Sequence, residues 1–147
     1  PISLPSLWAL LADDACFESG WPQAQLRCLL PEHCCVRGHL NGLAQALENG
    51  LRNAIRHSPP GAMISLDGRL EQGDWLFWLE DQGGGVAATQ LEQMFLPFIR
   101  LSAARPGGDG FGLGLAIARS AMQMQGGAMW AENTGEGLRL NFRLKSV

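Results

Sequence analysis

Positive charge is short in this sequence. Eleven Lys and Arg stand against 14 Asp and Glu, and the net charge of -3 leaves out the basic footprint of a nucleic-acid binder. No apolar run approaches the length needed to span a bilayer, and no signal peptide is visible. The cysteines Cys16, Cys28, Cys34 and Cys35 contain no CxxC pair and no disulfide pattern. They read as buried thiols in a reducing cytoplasm, with a zinc site using His33 as the alternative. Repeats and low-complexity segments are absent. What remains is 147 residues, 46% apolar and 17% charged, enough for one domain (1–147) with a real core. The opening "PISLPSLWALL" lacks Met and reads as a domain excised from a longer protein, so missing membrane segments say little about the parent.

Helical periodicity runs from Ser6 to Ser19 and stops at Gly20-Trp21-Pro22. "AQLRCLL" and "CCVRG" are short strand candidates around Pro31. A long helix is expected from about Gly38 to His57, ended by Ser58-Pro59-Pro60-Gly61. "AMISLDGRLEQ" alternates as a strand, Gly73-Asp74 makes a turn, and "WLFWLEDQ" returns as its hairpin partner. Residues Gly83 to Arg105 look irregular, with one short helix near Thr89 to Met94. "GLGLAIARSAMQMQ" is a helix stopped by Gly126-Gly127, and "AMWAENT" and "LRLNFRLKSV" form a closing hairpin. Helices and hairpins mixed in this order predict an α+β domain, its mixed sheet covered on one face by helices.

Within the long helix, "LAQALENGLRNAIRHSP" carries Asn49 and Asn53, a residue type that competes poorly for helix interiors. At about 100° per residue, Asn49, Asn53 and Arg56 fall within roughly 60° of one another, with His57 beside them. Leu40, Leu43, Leu47, Leu51 and Ala54 mark the opposite side as the core face. A solvated polar face explains this pattern. So does a ligand face, because amide oxygens suit Mg²⁺ and a guanidinium suits phosphate.

Nineteen glycines are many for this length, and they cluster. Asp81-Gln82-Gly83-Gly84-Gly85 follows a predicted strand, and "GGDGFGLGLAIAR", Gly107 to Arg119, runs into a helix. A glycine-rich turn feeding a helix start presents N–H groups that suit phosphate, although a flexible loop fits each cluster alone. No Gly-Lys-Ser/Thr follows, so neither is a Walker A loop. Asp81 beside such glycines could accept a hydrogen bond from an exocyclic amine such as that of adenine.

In order, these pieces resemble the ATP-binding catalytic domain of bacterial sensor histidine kinases, within the gyrase–Hsp90–kinase–MutL superfamily. "ENGLRNAIRHSP" resembles the N box, "DQGGG" the G1 box, "MFLPFIRL" the F box and "GFGLGLAIAR" the G2 box, and the match covers nearly the whole chain. The resemblance implies a two-layer α/β sandwich of the Bergerat type with a mostly antiparallel sheet. It implies Mg²⁺ on Asn53 with Asn49 in support, and Arg56 near the ATP phosphates. His57 takes a position near the nucleotide where the family often has tyrosine. Asp81 takes the adenine amine, Gly83 and Gly85 shape that pocket, and Gly110, Phe111, Gly112, Leu113, Gly114 and Leu115 form the phosphate side. The segment from about Ile99 to Asp109 corresponds to the family's mobile lid, with Arg100 or Arg105 reaching a phosphate and Phe95 and Phe98 at its base.

The implied chemistry is transfer of the ATP γ-phosphate to a histidine on a separate dimerisation domain, for relay to a response regulator. The parent is then a homodimer in a bacterial inner membrane, with this domain on the cytoplasmic side. His33, His39 and His57 lack the H-E-x-x-x-P-like acceptor context, so the acceptor is expected upstream of Pro1. Gly84 stands where proline is common and Gly50 where a larger apolar residue is usual. The rival readings are an ATP-hydrolysing switch of the gyrase, Hsp90 or MutL kind, an anti-sigma-factor serine kinase, and a degenerate binding module. The hydrolases place a general-base glutamate four residues before the metal asparagine, where this chain has Asn49.

Overall fold

A computed structural model describes residues 1–96 and 114–147. The first helix, α1 (Leu4–Ser19), is capped by Ser3, whose Oγ accepts the Ser6 N–H at 3.3 Å, and it ends in left-handed Gly20, whose N–H reaches Cys16 O at 2.9 Å. Two further helices follow, α2 (Leu40–His57) and α3 (Gly114–Met124). Strands β2 (Leu26–Cys28), β4 (Ile64–Glu71), β5 (Asp74–Glu80), β6 (Ala128–Asn133) and β7 (Leu138–Lys145) form a sheet of order β2-β4-β5-β7-β6. Only the β2–β4 pairing is parallel. Strands β1 (Ile2–Ser3) and β3 (Cys35–Val36) pair separately and tie the chain start beside the β7 end. Among the described residues no helix is long and apolar enough to cross a membrane.

The alternation of β5 and β7 decides which face is covered. Phe77 pairs with Phe142 and Leu79 with Leu140, which sets these four side chains on one side, and the two rings stack at 5.3 Å. All four are buried with Ile64 and Leu66 under the helices. The opposite side carries Trp78, with Arg69 and Arg139 over its ring, and Arg139 also pairs with Glu80 and Glu132. One apolar and one charged face give the expected two-layer α+β sandwich.

Four local expectations need correction. The β4–β5 turn sits one residue earlier, at Gln72 and Gly73, whose φ values of 52° and 86° give the doubly left-handed turn that matches strand twist, and Asp74 already belongs to β5. The helix near Thr89 to Met94 is two 3-10 turns, Ala88–Gln90 and Gln93–Phe95. Leu40 is 55% exposed, because the first residue of α2 projects past the sheet. Asn53 does not lie off the core face. It is 7% exposed, since the sheet contacts the helix at Gly50, one short arc away. A Cβ on Gly50 would stand 3.4 Å from methyls of Leu79 and Leu140, an ordinary contact distance, which places this position of α2 directly over the sheet.

Candidate functional site

Asn53 is held on the margin of the α2 core face, between Leu51 and Ala54, which are buried against the rest of the core. Its side-chain nitrogen, Nδ2, has no hydrogen-bond partner among the described residues. A buried amide N–H left unmade costs roughly 1–3 kcal/mol, so a ligand that accepts from it recovers that cost. Asn49 is half-buried one turn earlier, and Arg56 is exposed one turn later. These three residues line one cavity of about 470 Å³ together with Gly114 and Leu115 at the start of α3. α1 also lines it, through Leu11, Asp14 and Glu18, a contribution not anticipated from the sequence.

Glu48 also lines this cavity, and its carboxylate is engaged. Arg52 lies 2.7 Å from Glu48 Oε1 and 3.4 Å from Glu18 Oε2. His57 is 1% exposed, part of the packed interior at the end of α2.

The Asp81 loop is built from the sheet. β5 ends at Glu80, and Asp81 continues its pairing through Asp81 N to Leu138 O at 3.0 Å. Asp81 is 5% exposed, and its Oδ1 accepts the N–H of Gly83 at 2.9 Å and of Leu138 at 3.1 Å. Gly84 and Gly85 follow with φ of 87° and 75°, a left-handed pair that side chains resist. The loop closes on Asn133, which bonds both backbone groups of Val86. Asp81, Gly83 and Gly85 are therefore together, but outside the described lining of the α2 cavity. Arg100, Arg105, Gly110, Phe111, Gly112 and Leu113, with Phe98 and the Ile99–Asp109 segment, lie outside the described residues.

Arg119 was not anticipated. From α3 it donates to both carboxylate oxygens of Glu92 at 2.9 Å and to Met129 O at 3.1 Å, and its guanidinium sits 3.7 Å over the buried Phe95 ring. It thus joins the 3-10 turns after the Asp81 loop to α3 and β6. Glu92 is held below its usual carboxylate range, first by the hydrogen bonds from Arg119 and also by that charge. Among the cysteines, burial pushes the Cys34 thiol up to about 12, with Cys35 and Cys28 adding to it, so that thiol is neutral and inert. No group of three or more His, Cys, Asp or Glu is arranged to hold a metal ion among the described residues.

Comparison with known proteins places this geometry. Residues 38–147 match the family model described as histidine kinase-, DNA gyrase B-, and HSP90-like ATPase. Sensor protein PfeS of Pseudomonas aeruginosa is 55% identical over 147 residues, covering all of this chain and 32% of the relative. Sensor histidine kinase CpxA of Escherichia coli is 35% identical over 142 residues, 95% of this chain and 31% of the relative. The chain therefore spans about a third of the length of these curated relatives. Among solved structures, the mycobacterial sensor histidine kinase MprB superposes with a TM-score of 0.81 at 22% identity, covering 99% of this chain and 97% of that one, a likeness of fold. The ATP binding domain of PrrB from Mycobacterium tuberculosis gives 0.72 at 26% identity, with 99% and 96% covered.

Proposed function

From the premise that the chain belongs to the family of histidine kinase-, DNA gyrase B- and HSP90-like ATPases, we propose that it binds Mg-ATP as the catalytic part of a sensor histidine kinase. It then serves transfer of the γ-phosphate to a histidine on the parent's dimerisation domain, for relay to a response regulator. The parent is a homodimeric membrane sensor with this domain in the cytoplasm.

The observation that carries this reading is the pair Asn49 and Asn53 beside the α3 start, with the buried Asn53 Nδ2 unpartnered. The amide oxygens of the pair fit magnesium, which needs only one or two protein oxygens when substrate phosphates and water supply the rest, while the unpartnered N–H suits a phosphate oxygen. Asn53 would hold it with Asn49 in support, and bound Mg²⁺ supplies neutralisation of phosphate charge. The protein's own contribution is positioning. Arg56 and the N–H groups at the start of α3 face the phosphates, and Asp81 takes the adenine amine, which guanine lacks.

The hydrolase reading lacks a base. Asn49 stands at the base position and its amide takes no proton, while Glu48 is tied to Arg52 at 2.7 Å. Incubation of the chain with radiolabelled ATP, with and without the parent's dimerisation domain, tests the assignment. Label on a histidine of the added domain, with little phosphate released by the chain alone, is the expected result. Rapid release by the chain alone would move it to the ATPase branch.

A further inference from the structure

The end of the β6–β7 hairpin grips the glycine loop at two points. At the first, Leu138 O accepts the Asp81 N–H, and the Leu138 N–H donates to the Asp81 carboxylate. The fit is close: a Cβ on Gly137 would stand 2.0 Å from the Asp81 carbonyl oxygen. At the second, Asn133 accepts the Val86 N–H on Oδ1 at 3.0 Å and donates Nδ2 to Val86 O at 2.7 Å. One side chain supplies both partners of a backbone residue, as a neighbouring strand does, and only an amide has the acceptor and donor for it. Gly85 lies directly against this amide, so that a Cβ there would stand 2.5 Å from Oδ1.

Between the two grips lie Gly83, Gly84 and Gly85. Glycine loses more conformational freedom on ordering than any other residue, so three in a row hold no shape by themselves. The Asp81 end is fixed by paired backbone, whereas at Val86 both backbone groups are bonded by Asn133.

We propose that Asn133 is a positioning residue for nucleobase discrimination. By fixing Gly85 and Val86 to the hairpin, it holds the loop shape in which Asp81 meets an exocyclic amine. This rests on the reading of the Asp81 loop as the base-recognition site. The role assigned to Asn133 is exerted through its bonds to Val86. A purely structural clamp would change thermal stability and leave the preference between bases where it was. A positioning clamp changes the preference.

The test is calorimetric titration of ATP, GTP and inorganic triphosphate into the chain and its Asn133→Ala, Asn133→Asp and Asp81→Asn variants, with thermal midpoints recorded. Asn133→Ala should raise the ATP dissociation constant about tenfold, change that of GTP little, and leave triphosphate binding unaltered. The ATP-over-GTP ratio then falls about tenfold. Asn133→Asp keeps the size and the acceptor for Val86 N–H but sets a carboxylate oxygen against Val86 O, so its ratio should fall too, and it stands in if the alanine variant does not fold. An unchanged ratio in a folded Asn133 variant, with the preference lost in Asp81→Asn, overturns the proposal alone. An unchanged ratio in Asp81→Asn as well overturns the reading of the loop, and the proposal with it.

Discussion

Asp81 and Asn53 are buried to nearly the same degree, at 5% and 7% exposure, yet their polar atoms meet opposite surroundings. Oδ1 of Asp81 accepts two backbone N–H groups, and its loop is bonded to the β6–β7 hairpin at both ends. Nδ2 of Asn53 has no hydrogen-bond partner among the described residues. The Asp81 loop, which we propose as the base side, is thus shaped by the protein's own bonds, while Asn53, on the proposed phosphate side, keeps hydrogen-bonding capacity in reserve. Preorganisation on one side favours discrimination between nucleobases. An unspent donor on the other trades stability for binding, as functional sites often do.

Breaking the preorganised side should cost most. Gly137→Ala drives a Cβ into the Asp81 carbonyl, a backbone atom that cannot swing aside, and should destabilise the fold by about 3 kcal/mol in urea denaturation while abolishing ATP preference. Asp81→Asn replaces an acceptor with an amide donor where we propose that the adenine amine binds. It should weaken ATP binding by about 2 kcal/mol in calorimetry, and equal ATP and GTP affinity in the unaltered chain would remove the basis for that expectation.

A smaller effect is expected next to the site, at Arg119. Arg119→Ala loses the Met129 bond and the Phe95 contact and should destabilise by about 1–2 kcal/mol. It should also flatten the acid limb of the stability profile. Glu92 has a folded pKa depressed below its usual 4.5, so its contribution is present above that value and is lost as pH falls through the lowered one. The effect is slight because Glu92 is 75% exposed, and thermal midpoints of both proteins between pH 3 and 6 (roughly one unit or more to either side of the carboxylate range) would show it.

The fold was legible because its signals are local. Alternation in β4, β5 and β7 marks the covered face, and the helix stops at Gly20 and Gly126 carry the left-handed φ that such stops need. Asn49 and Asn53 stood out because they break helix propensity, and Asp81 because it stands beside a cluster of glycines. The burial of Asn53 was missed because wheel geometry gives only the centre of an apolar arc, and Gly50, with no side chain, hid where the sheet touches. Asn133 and Arg119 were missed for another reason. Asn133 reads as a residue near the end of a hairpin strand, and nothing in its neighbourhood shows that it reaches 47 residues back to Val86. Arg119 looks like an ordinary helix-surface cation until Glu92 and Phe95 are folded against it.

The reserve on the phosphate side is tested most directly by thermal denaturation of the chain and of Asn53→Ala, each with and without Mg-ATP. Removing a buried donor that has no partner should leave the midpoint without nucleotide unchanged or slightly raised, and should erase the upward shift that Mg-ATP gives the unaltered chain. A variant that is destabilised without nucleotide, or that keeps the full Mg-ATP shift, would contradict the assignment of Asn53 to the ligand.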